Sequence, residues 1–121
     1  FSKSVEDALR HFADVLWLGQ SPLADWAEVR AESHVERGKR LQKILREAVQ
    51  SLRPDGERPP EPLPREWYNY VTLHDAYIKN APNREVMSRL YVSEGTFHRT
   101  RRQAVRGVAR WLVERKNAGR L

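Results

Sequence analysis

Apolar residues recur at helical rather than strand spacing along most of the chain. Val5, Leu9, Phe12 and Leu16, widened by Ala8 and Val15, form one stripe. Ser4 is placed to cap that helix, Glu6 and Asp7 sit in its first turn where the dipole favours anions, and Gly19 is a natural stop. Ser21-Pro22 reads as a cap followed by proline at the first helical position, opening a short helix through Trp26 and Val29. Ser33-His34-Val35-Glu36 fits a capping box, and Leu41, Ile44, Leu45, Ala48 and Leu52 form the buried stripe behind it, up to Pro54.

Residues 54–64 hold five of the seven prolines and break the pattern, as a linker or an extended brace. After Pro64 the helical spacing returns at Trp67, Tyr70, Val71, His74, Tyr77 and Ile78. Asn80 is suited to a left-handed stop and Pro82 to the start of the next helix, marked by Val86 and Leu90. Tyr91-Val92-Ser93 reads as a turn, with Ser93 capping a last helix from 94 to about 116 whose inner stripe is Phe97, Ala104, Val105, Val108 and Leu112. The expected fold is all-α: an N-terminal helical lobe over 1–53, a Pro-rich linker over 54–64 and a three-helix lobe over 65–121. The first lobe is expected to brace, dimerise or bind a partner.

Charge sharpens this picture. The chain of 121 residues carries a formal net charge of +6, but not evenly. Residues 1–82 hold 12 Lys/Arg against 13 Asp/Glu, whereas 83–121 hold 10 against 3. A balance of −1 followed by +7 points to a polyanion partner for the C-terminal third. The longest apolar run, Val15-Leu16-Trp17-Leu18, is far short of a membrane span, and no signal peptide is visible, so a cytoplasmic protein off the membrane is expected. The chain begins at Phe1 rather than Met and reads as trimmed from something longer. It has no cysteine, which removes disulfides, thiolate zinc sites and cysteine nucleophiles.

A short helix, a tight turn and a capped second helix make a helix-turn-helix pattern. The run Val86-Met87-Ser88-Arg89-Leu90-Tyr91-Val92-Ser93-Glu94-Gly95-Thr96-Phe97 resembles the helix-turn-helix of sigma factor region four and of response-regulator effector domains, which reads roughly aliphatic-Ala-x-x-Leu-x-Ile-Ser-x-x-Thr-Val. Leu63-Pro64-Arg65-Glu66 and Tyr77-Ile78 extend the likeness to about residues 63–113. Ala8-Leu9-Arg10 and Ser21-Pro22-Leu23 are similar to the helical region ahead of such motifs in large bacterial signalling ATPases. Met87 stands where these families carry Ala, and Pro82 where they carry a Ser/Thr cap; both bear on the docking angle.

The resemblance implies a sequence-specific transcriptional regulator that binds duplex DNA through a recognition helix in the major groove. It places His98, Arg99 and Arg102 at base-facing positions, where an arginine fork can pair with guanine O6 and N7. It places Arg89, Ser93 and Thr96 at phosphate, with Arg101, Arg106 and Arg110 extending the electrostatic track. Further partners it implies are RNA polymerase, a fused signalling or ATPase region, and a second copy of the chain. Glu94 reads as a partner of the helix dipole, and His98 reads equally well as a solvated surface histidine. The alternative is a protein-interaction adaptor or sigma-like module without DNA readout. His11, His34, His74 and His98 have no metal-ligand spacing, and His74 and Asp75, being adjacent, are expected to point to different sides. There is no phosphate loop or nucleophile elbow, so neither catalysis nor a cofactor is expected.

Overall fold

The computed structural model describes residues 1–121, and every regular element in it is helical. The order is α1 (Ser2–Arg10), α2 (Val15–Gly19), α3 (Pro22–Trp26), α4 (His34–Gln50), α5 (Tyr68–Leu73), α6 (Asn83–Leu90) and α7 (Glu94–Asn117). A 3-10 turn, Arg65–Trp67, leads into α5, and a π turn, His74–Ile78, leaves it. No helix is long and apolar enough to cross a membrane.

The first helix departs from expectation. The stripe from Val5 to Leu16 is divided between α1 and α2, and Ser4 lies inside α1 rather than capping it. Asp14 is the cause: its carboxylate accepts the Trp17 N–H at 3.0 Å and starts a new helix. Gln42 of α4 donates to the Phe12 carbonyl at 2.8 Å and holds the break in place. The reorientation lets α2 cross α4 at backbone contact. A Cβ on Gly19 would stand 1.8 Å from the His34 carbonyl oxygen, and one on Gly38 would stand 1.7 Å from that of Val15. Arg37 fastens the crossing by donating to the carbonyls of Gly19 and Val29 and to the carboxylate of Asp25. The expected caps of the next two helices form: Ser21 accepts from Ala24 N–H and Ser33 from Glu36 N–H.

Residues 54–64 contain no helix, yet they are not a free tether: Leu63 is buried and Arg58 reaches α5's exit turn. The buried side chains of both halves form one continuous cluster, running from Val5, Leu9, Leu41 and Leu45 to Trp67, Val86, Phe97 and Leu112. Helix α7 lies against α1, α4 and α5 and is the spine of the fold.

The stripe expected after Pro64 holds through Trp67, Tyr70 and Val71 and then slips. Leu73, Asp75 and Ala76 are buried, while His74, Tyr77 and Ile78 are only partly so. The π turn accounts for this. Lys79 N–H donates to the His74 carbonyl at 2.9 Å, five residues back rather than four, so each side chain advances less around the axis.

Candidate nucleic-acid interface

Helix α6, a three-residue turn and α7 follow one another as the sequence pattern requires. Val86 and Leu90 are buried beneath α6, and Val92 packs at the edge of the core. Tyr91 makes the corner in the left-handed region, at φ 55° and ψ 42°. Ser93 caps α7 by accepting the Thr96 N–H at 3.2 Å and donating to the Thr96 hydroxyl at 3.1 Å. The inner stripe, Phe97, Ala104, Val105, Val108 and Leu112, is buried throughout.

The outer face of α7 is cationic. At about 100° per residue, Arg99, Arg102, Arg106 and Arg110 fall within an arc of about 80° over about 17 Å of helix. All four are exposed and none is paired with a carboxylate. Carboxylates hold Arg10 (Glu6), Arg37 (Asp25), and Arg58 and Arg89 (both Asp75), whereas Arg65 and several arginines outside this face are also unpaired. Like charges four residues apart, as at Arg102, Arg106 and Arg110, cost a helix a few tenths of a kcal/mol each. This face is therefore not arranged for the stability of the free protein.

Of the other residues expected at DNA, Arg101 lies off this face, His98 at its margin, and Ser93 and Thr96 at the start of α7. Arg101 turns to the opposite side of the helix, its Nε 4.0 Å from Glu6 of α1 and its side chain only 18% exposed. It belongs to the packing of α7 on α1. His98 leans on the Phe97 ring, with Nε2 3.5 Å from Glu94, at the margin of the arginine face. Ser93 commits its only proton to Thr96, whose own hydroxyl hydrogen stays free to donate. Thr96 also accepts from Arg99 Nη2 at 3.0 Å. A Cβ on Gly95 would meet only the Arg99 guanidinium, at 3.5 Å.

Arg89 is engaged inside the protein. Its Nη1 donates to Asp75 Oδ2 at 2.8 Å, and Nη2 pairs with Glu85. Asp75 is nearly buried, with 3% of its side chain exposed, and it also accepts from Arg58 through both oxygens, at 3.2 and 2.9 Å. His74 Nδ1 lies 2.8 Å from Oδ1. An ionised carboxylate only accepts, so that nitrogen carries the proton. The adjacent His74 and Asp75 thus meet instead of diverging, because the widened turn brings the carboxylate round to the imidazole. Burial opposes the charged form of Asp75, but the hydrogen bonds from Arg58, His74 and Arg89 outweigh it and hold the pKa down at about 2. The same hydrogen bond raises the pKa of Arg89 above its ordinary value. Sequence reasoning missed this hub because its three donor residues are drawn from the connector, the π turn and α6.

A second feature lies beside the arginine face. A polar cleft of about 460 Å³ runs between the start of α5 and the first half of α7. It is lined by Arg65, Tyr68 and Asn69 on one side and by Thr96, Arg99, Thr100 and Gln103 on the other.

Comparison with known proteins adds no kinship to this geometry: the chain matches no family model, no characterised protein and no solved structure.

Proposed function

We propose that the protein is a sequence-specific duplex-DNA-binding transcriptional regulator that uses α7 as its recognition helix and acts in the cytoplasm. The observation that carries this reading is the run of four exposed, carboxylate-free arginines on one face of the second helix of a helix–turn–helix pair. Such a face is mildly unfavourable alone and is relieved by a polyanion. Arg99 and Arg102, nearest the N-terminal end of α7, are the base-reading pair, in keeping with how recognition helices enter the major groove. Arg106 and Arg110 follow the backbone beyond them. His98, at the edge of the face, makes a flanking base contact, and Thr96 offers its free hydroxyl to phosphate. Arg89, Ser93 and Arg101 serve the scaffold.

Selection of duplexes from a random library tests this directly. Enrichment of a common sequence, with that preference lost in an Arg99→Ala, Arg102→Ala double variant, is the expected result. Failure of the wild type to enrich any sequence, with binding unaffected by the double substitution at matched salt, overturns it.

A further inference from the structure

The cleft between α5 and α7 differs from the other larger depressions in its charge. The depression beside Asp75 contains Glu61 and Glu85 as well, and those around Arg30, Arg40 and Ala31 each contain a glutamate. The α5–α7 cleft contains two guanidiniums and no carboxylate. The rest of its lining consists of groups able to donate: the Tyr68 and Thr100 hydroxyls, the Asn69 and Gln103 amides, and the Thr96 hydroxyl with its free hydrogen. Neither Arg65 nor Arg99 has a carboxylate partner anywhere in the protein. The Arg65 fork, set among neutral donors with the Arg99 side chain at the rim, matches the tetrahedral oxygens of a phosphate.

Resting on the DNA-binding reading of α7, we infer that this cleft seats one backbone phosphodiester of the bound duplex, and that Arg65 is a DNA contact outside the helix–turn–helix pair. Arg99 and Gln103 lie both in the cleft and on the exposed side of α7, so a strand following the arginine face passes over its mouth. Arg65 approaches from the turn before α5, across the cleft from Arg99. The strand is held from two elements at once. That fixes the rotation of α7 in the groove, which arginines along a single helix do not.

The test is duplex binding by the full chain across a salt series, with Arg65→Gln and Arg65→Lys beside wild type and Arg102→Ala. Arg65 is exposed, and unchanged circular dichroism and Tm confirm that its variants fold. Arg65→Gln is expected to weaken binding about 3- to 10-fold for all sequences alike and to flatten the log K against log salt slope by about 1. Arg65→Lys retains the slope, because the charge remains, while losing part of the affinity. Wild-type affinity and slope in Arg65→Gln, with binding still weakened in Arg102→Ala, overturn the cleft assignment and leave the function standing. If no duplex binds but inorganic phosphate saturates the wild type and not Arg65→Gln, the cleft serves a free phosphate and the backbone assignment falls with the DNA reading.

Discussion

Arg89 Nη1 donates to Asp75 Oδ2 at 2.8 Å, so α6 is tied to the turn that leaves α5. Arg58 brings the proline-rich segment to the same carboxylate, and His74 completes its coordination. With four donors, both oxygens of Asp75 are saturated, and an isosteric amide cannot replace them. Asp75→Asn is expected to lower stability by about 2–3 kcal/mol, below the cost of stranding a fully buried charge because both arginines remain about one-third exposed. Urea denaturation measures it.

That loss is pH-dependent in a definite direction. The folded-state pKa of Asp75, about 2, lies below its ordinary 3.8. Its contribution is therefore complete above the ordinary value and is lost as pH falls through the folded one. Wild type and Asp75→Asn are expected to differ in Tm by a constant amount above about pH 5 and to converge towards pH 2. A gap that persists undiminished at pH 2 contradicts the ionised hub.

Gly38→Ala sets a methyl group against the Val15 carbonyl, where no side chain can step aside. Separation of α2 from α4 is the only relief, and a loss of at least about 2–3 kcal/mol is expected. Gly95→Ala is the control: its methyl would meet only the flexible Arg99 guanidinium, at 3.5 Å, and Tm is expected to change little.

Arg101 and Arg102 are neighbours in sequence that lie on different sides of α7. Replacing Arg102 with Ala is expected to reduce duplex affinity about tenfold and to relax the sequence preference. Replacing Arg101 is expected to leave affinity within about twofold, since its side chain faces α1. Equal losses at the two positions, measured by fluorescence anisotropy at matched salt, contradict the assigned face.

Tyr91 bears a side chain in a conformation suited to glycine, and 71% of that residue is exposed. Tyr91→Gly relieves backbone strain at little cost in packing. A gain of up to about 1 kcal/mol is expected, read as a Tm rise of a few degrees.

Much of this fold was legible because helical spacing and caps are local. The caps at Ser21, Ser33 and Ser93, the left-handed Asn80 and the inner stripe of α7 all lie where the sequence pattern puts them. Four features were not legible, each for a physical reason. The break at Asp14 competes with an apolar stripe that continues unbroken through Leu16. The π turn adds a residue to one turn without any sequence mark, and so moves Asp75 inward. Arg101 and Arg102 look alike in a charge run, and only the phase of α7 against α1 separates them. The cleft depends on Arg65 and Arg99 meeting across 34 residues of chain, a relationship that no local spacing encodes.

The continuous core gives the arginine face an indirect dependence. Because Val5 and Leu45 belong to the same buried cluster as Phe97 and Leu112, α7 shares its hydrophobic support between both halves of the chain. A chain cut at its prolines would leave α7 with half of its walls. In a cooperative transition, the fraction of molecules able to present the four arginines equals the folded fraction of the whole chain. A ligand that grips the N-terminal helices only when they are folded thereby raises the concentration of molecules that present the four arginines, without touching that face.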